Sequence, residues 1–235
     1  MPLDREFQGF SPQAVDFYVE LTRNNNKGWF ESHKDTFETH VLAPARAFVV
    51  GMGERLRNIA PGIHADPRVN RSLFRIQRDI RFSPDKSPYK THLGIWMWEG
   101  EGPRMERPGF YFHLEPPFLM LAAGMREFSK PVLEAYRSAA VDREWGAALK
   151  DAIESVTSKG SYIVGERHYK KVPRGFDPHH ANAELLLHNG LTVRTESPIP
   201  PEFYSEELLD YCFVRFVEMK PVHEWLFRLL ERMDA

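Results

Sequence analysis

Four strand-like segments crowd the middle of this chain with no helical pattern between them, which narrows the folds open to it. Phe74 to Phe82 alternates apolar and polar residues, and His92 to Trp98, Phe110 to Glu115 and Phe118 to Ala123 follow. Successive side chains in a strand point to opposite faces, so the alternation predicts one buried face. Consecutive strands of this kind predict an antiparallel sheet. A glycine-rich loop, EGEGPRMERPG, separates the second strand from the third.

On either side the apolar spacing turns helical. Ser11-Pro12 has the form of an N-cap followed by proline at the first helical position, ahead of Ala14, Phe17, Tyr18 and Leu21. Asn24-Asn25-Asn26 ends that helix, because asparagine competes for backbone hydrogen bonds. A longer helical segment is expected from Trp29 to Ile59, with a bend or restart near Pro44. Later helices are expected over 131–141, 143–156 and 181–188. A tail helix from Phe203 should be interrupted at Pro221, and short strands are expected near 162–164 and 191–195. The expectation is one α+β domain over residues 1–235. It is helical over 11–60, strand-rich over 70–125, helical and looped over 130–190 and helical over 203–233, with helices from both ends packed on the sheet. A chain of 235 residues can bury roughly three quarters of its unfolded surface.

The formal net charge is −2, which argues against a general nucleic-acid coating protein. A single cysteine, Cys212, excludes an intrachain disulfide and a cysteine-rich zinc site. Its apolar neighbours predict a buried, inert thiol. No secretory signal and no membrane-spanning stretch are read, so a cytoplasmic location is expected.

Charge is concentrated locally. Between Arg71 and His92 stand Arg71, Arg75, Arg78, Arg81, Lys86 and Lys90, against only Asp79 and Asp85, a local charge of +4. Fixed cations so close together repel one another unless an anion lies among them, either the protein's own carboxylates or a bound ligand. If Phe74–Phe82 is a strand, Arg75, Gln77, Asp79 and Arg81 share one face. Asp79 then has a guanidinium two residues away on each side, which lowers its acidity constant and holds both forks in place. Arg78 falls on the apolar face, where an arginine must be paired or line a wet pocket. The stiff turn Ser83-Pro84-Asp85-Lys86-Ser87-Pro88 presents Lys86 and Tyr89. Tyr89 could donate a hydrogen bond or stack on a base. An arginine–aspartate ladder on an exposed face explains the same residues without a ligand.

The pattern Arg75-x-x-Arg78-Asp79-x-Arg81-Phe82-x-x-x-Lys86-x-x-Tyr89 resembles the signature of the uncharacterised bacterial family called domain of unknown function 2461. The likeness extends to Asn25 with Trp29-Phe30, to Ala123-Gly124-Met125 and to Lys171-x-Pro173-x-Gly175-Phe176-Asp177. It implies that these positions form the site. It implies no activity.

A second basic cluster holds Arg167, Lys170, Lys171 and Arg174, interleaved with Tyr169 and Phe176. Such a mixture can hold phosphates while stacking a base, and it also suits a solvated loop. His168, His179, His180 and His188 match no common zinc spacing. His113 shares a strand face with Tyr111 and Glu115 and could join His92 across a hairpin. No metal and no cofactor are expected, and no phosphate-binding or dinucleotide-binding glycine motif occurs.

Three readings result. In the leading one the chain binds or acts on a small phosphorylated or other anionic ligand. Arg75, Arg78, Arg81, Lys86, Lys90, Lys171 and Arg174 bind it, and Asp79, Tyr89 and His92 are the candidate catalytic groups. The second is a nucleic-acid-binding module using both basic segments. The third is a non-catalytic interaction protein with a structural arginine network. The sequence does not decide whether the chain is an enzyme, nor its oligomeric state.

Overall fold

The computed structural model describes residues 6–234. Helix α1 (Pro12–Arg23) starts where Ser11-Pro12 predicts, and it buries Ala14, Phe17, Tyr18 and Leu21 along one stripe. Asn24 caps its end. Asn26 then caps α2 (Lys27–Ser32), its side-chain oxygen accepting from the Trp29 amide at 3.0 Å.

The long helix expected over 29–59 is instead α2, a single turn α3 (Lys34–Thr36), a π-helical turn Phe37–Leu42, and α4 (Ala43–Leu56). The expected bend near Pro44 takes the form of that wide turn, since a proline has no N–H with which to continue a regular ladder.

Six strands follow in an antiparallel sheet: β1 (Ile63–His64), β2 (Leu93–Glu99), β3 (Gly109–Glu115), β4 (Phe118–Met125), β5 (Ile163–Val164) and β6 (Leu191–Pro198). They are hydrogen-bonded in the order β1-β2-β3-β4-β6-β5. In the β5–β6 pair Ile163 faces Arg194 and Val164 faces Val193. With α5 (Lys130–Val141), α6 (Arg143–Thr157) and α7 (Leu208–Asp234) the fold class is α+β, helical at both ends of the chain. Residues 183–187 form a 3-10 helix where a short helix is expected.

Two sequence expectations fail. Phe74–Phe82 is not a strand. Residues 72–78 run beside 88–96 in a broken ladder, with Trp96 N–H bonding to the Ser72 carbonyl, Phe74 N–H to Gly94, Lys90 N–H to Ile76 and Arg78 N–H to Pro88. Bridges form at Leu73–Ile95 and Gln77–Tyr89. Four steps on one side therefore match six on the other, and the two surplus residues make a bulge around Thr91-His92. Past Arg78 the alternation stops. The Asp79 carboxylate accepts from the Arg81 amide and guanidinium, closing a local turn that competes with the ladder. Phe82 is left 94% exposed rather than buried.

The second failure is at Pro221, which does not interrupt α7. The carbonyl that a proline ring crowds is the one a turn earlier, here that of Val217, and Val217 is exposed, so water can take the place of the missing N–H.

The chain divides into two compact units. The first contains the residues up to Met97, Tyr111–Leu121 and Glu196–Arg215; the second contains Trp98–Phe110, Ala122–Thr195 and the residues from Phe216 on. In the first, Phe10 stacks on Phe203 with ring centroids 4.9 Å apart, and Phe48 packs on Phe112 at 4.8 Å. In the second, Trp225 meets Tyr136 and Trp145 edge-on, and buried Asn182 bonds the carbonyls of Ala140 and Gly146. His223 and Glu99, both almost fully buried, share a 2.7 Å hydrogen bond in this unit. Cys212 is buried, and burial pushes its thiol pKa up. Among the described residues no helix is long and apolar enough to cross a membrane.

Candidate functional site

The ladder and its bulge in the first unit form the wall of a small groove. Thr22, Asn25, Arg78, Asp85, Ser87, Tyr89, Lys90, Thr91 and His92 line a volume of about 210 Å³. Asn25 fixes the wall in place. Its carboxamide donates to the Tyr89 carbonyl at 2.9 Å and accepts from the Tyr89 amide at 3.0 Å, as a neighbouring strand would. Asn25 thus positions the groove in addition to breaking α1. Nothing in a bare Asn-Asn-Asn run signals that role.

Tyr89 is 7% exposed, its ring stacked on Phe30 with centroids 4.3 Å apart. Burial raises its pKa, with the Glu31 charge adding in the same direction. A buried, stacked ring is not presented for stacking on a base, which removes one role read from the sequence.

Arg78 is the half-buried arginine that the alternation singles out, its side chain 25% exposed. It is paired and also lines the groove. It donates to the Asp85 carboxylate and to the Ser87 carbonyl at 3.1 Å. Asp85 also accepts from the Ser87 hydroxyl and amide. Lys90 lies along the groove with its Nζ 5.2 Å from the centre of the Phe74 ring.

The structure thus brings Arg78, Tyr89, Lys90 and His92 together. Arg75, Asp79, Arg81 and Lys86 are exposed and are not among the lining residues of this groove. Arg81 grips the Asp79 carboxylate at 2.6 and 2.9 Å, and Lys86 donates to the Ile80 carbonyl at 3.0 Å. The basic segment is therefore neutralised in part by nearby carboxylates, Asp66 on Arg71, Asp79 on Arg81 and Asp85 on Arg78. Lys171 and Arg174 sit exposed on a loop of the second unit, where Arg167 is paired with Glu184.

The Arg81 fork, then its amide, holds the Asp79 carboxyl down at about 2. The Ser87 hydroxyl and amide, then Arg78, do the same for Asp85, also to about 2. An Asp79 so acidic and so paired is a weak base at neutral pH. Both folded-state values lie below the ordinary 3.8. Their contribution to stability is therefore complete above about pH 4 and is lost as pH falls through about 2. Amide hydrogen exchange across residues 79–87 should accelerate between pH 4 and 2 beyond the intrinsic pH dependence. Protection that stays flat over that interval would show that these pairs do not hold the turn.

At the bulged end of the groove, His92 meets β3. Its ring lies 4.4 Å from that of His113, and His113 Nε2 is 3.3 Å from a Glu115 carboxylate oxygen. The meeting of His92 and His113 matches the expectation from strand alternation. Among the described residues this trio is the grouping with metal-ligand spacing. It includes none of His168, His179, His180 and His188.

Fold and groove together define an α+β protein with a small cationic, hydroxyl-lined groove beside a broken strand ladder. The chain belongs to the family described as a conserved hypothetical protein (DUF2461), which matches residues 13–225. No curated protein matches it.

Proposed function

We propose that the groove binds a small phosphorylated or other anionic ligand. The supporting observation is the half-buried Arg78 in a groove with Lys90 and His92, where Asp85 is the only acidic lining residue. The remaining lining residues, Thr22, Asn25, Ser87, Tyr89 and Thr91, offer hydroxyl and amide groups suited to an oxyanion. A guanidinium held by two partners in a partly desolvated wall binds such a group with little loss of side-chain freedom. The Asp85 carboxylate on Arg78 occupies the position an incoming oxyanion would take. A volume near 210 Å³ suits a phosphate, a dicarboxylate or a short sugar phosphate, whereas drug-sized ligands occupy about 300 Å³ or more. Catalysis at such a site would rest on positioning and electrostatic stabilisation, with His92 the available proton carrier. A cytoplasmic location is part of the proposal, and the single cysteine, Cys212, free and buried, supports it.

A thermal-shift series with inorganic phosphate, pyrophosphate, sugar phosphates and dicarboxylates tests this. A ligand at one hundred times its Kd stabilises by about 2.7 kcal/mol, or roughly 5–10 °C for a chain of this size. Lys90→Met and Arg78→Lys should each remove the shift. A shift that persists in both variants, or a blank across the series, overturns the reading.

One observation favours contact with a macromolecule instead. Phe82 is 94% exposed, with the Arg81 guanidinium 5.8 Å from its ring centre. Binding of a short single-stranded oligonucleotide that falls steeply with salt and is lost in Phe82→Ala would support that second reading.

A further inference from the structure

We propose that His92, His113 and Glu115 form a divalent transition-metal site of the two-histidine, one-carboxylate type at the edge of the groove. The ligand atoms of all three residues lie within 4.8 Å of one another. Donors about 2.1 Å from one ion stand about 3.4 Å apart in a tetrahedron. His113 Nε2 and Glu115 Oε2 are already 3.3 Å apart. The remaining separations are those to His92, and they close when its ring turns toward the pair.

The residues behind the trio look like supports for ligands. His113 Nδ1 lies 3.0 Å from the Tyr111 hydroxyl, and with Nδ1–H donating to that oxygen the Nε2 lone pair is left on the Glu115 side. Thr91 Oγ1 donates to Glu115 Oε1 at 3.3 Å and leaves Oε2 for an ion. The space for the Tyr111 hydroxyl comes from Gly94, where a Cβ would approach it to 2.8 Å. The surplus residues of the ladder bulge deliver Thr91 and His92 to the end of β3. A bulge that re-aims side chains toward a site is a recurrent device of sheets.

The chemistry selects the metal class. Two imidazoles and one carboxylate suit zinc, cobalt(II), nickel(II) or iron(II), whereas calcium and magnesium take oxygen ligands throughout. Three protein ligands leave a coordination position open, as in zinc sites that activate water. Thr91 and His92 line the groove, so an ion here stands at its margin. The proposal goes beyond the anion reading and does not depend on it.

The test uses the full chain, stripped with a chelator, and cobalt(II) as the probe. One equivalent should bind with the visible absorption of a low-symmetry, four- or five-coordinate site, and zinc should displace it. Glu115→Gln and His113→Ala should each abolish that stoichiometric spectrum. Tyr111→Phe should weaken binding about 10-fold, the lower end for a residue that orients a ligand. Lys90→Met should leave it unchanged, which separates this site from the anion site. Glu115 is 54% exposed, so Glu115→Gln decides the matter even if His113→Ala fails to fold. Absence of stoichiometric binding, or an undiminished spectrum in Glu115→Gln, overturns the proposal and leaves a hydrogen-bonded His–Glu pair.

Discussion

Gly124→Ala is expected to destabilise the protein by roughly 2–6 kcal/mol, the sum of a strained backbone and an overpacked contact. Gly124 lies in β4 at φ +127°, a conformation that L side chains rarely adopt. A Cβ there would stand 2.1 Å from the Leu191 carbonyl oxygen and 3.0 Å from the Thr192 Cα. Both neighbours are backbone in β6, so neither can rotate away. The variant should melt far below the parent or fail to accumulate as folded protein. A Tm within about 3 °C of the parent, corresponding to roughly 1 kcal/mol, would mean that β4 and β6 separate at little cost. The Ala123-Gly124-Met125 pattern marks this position in the sequence without giving the reason for it.

The second large effect concerns the buried histidine–glutamate pair of the same unit. His223 is 1% exposed and Glu99 4%, and His223 Nε2 stands 2.7 Å from Glu99 Oε2. Removing one partner from a buried pair costs about 3–5 kcal/mol, because the other loses its compensation in a poorly polarisable interior. His223→Leu should therefore lower Tm by roughly 6–20 °C. The double variant Glu99→Leu with His223→Leu removes both polar groups and should recover part of that loss. A double variant as unstable as the sum of the single ones would show that the two groups do not depend on each other.

The α+β class and most elements were legible because they rest on local signals. Ser11-Pro12, the apolar stripe of α1 and the alternation in β3 are written in neighbouring residues. The failures arise where a local signal meets a longer-range competitor. Phe74–Phe82 alternates like a strand, yet Asp79 folds back on Arg81 and two Ser-Pro steps follow, so the ladder stops and Phe82 faces solvent. Pro221 carries a breaker's signal, but one hydrated carbonyl is a small penalty in a helix packed along most of its length.

The candidate groove was legible only in part. Arg78 stood out as a cation on an apolar face, and the structure places it half-buried, paired and in a groove. Its companions Thr22 and Asn25 come from more than fifty positions away in the chain, and no spacing rule links them to Tyr89. Arg75, Asp79, Arg81 and Lys86 carry the same charge pattern but turn outward, because charge spacing cannot tell a groove wall from a solvated turn.

The order in which chain segments enter the two compact units bears on how the protein is made. The first unit needs Glu196–Arg215, and the second needs the residues from Phe216 on. Neither can close while the ribosome is still translating the middle of the message. At about 5–20 residues per second, the interval between Trp98 and Arg215 lasts roughly 6–24 s. Until β6 is made the nascent chain carries β4, and later β5, whose shared neighbour in the sheet has not yet been synthesised. A premature stop anywhere before the last helix would release a product with no finished core, a substrate for chaperones and proteases.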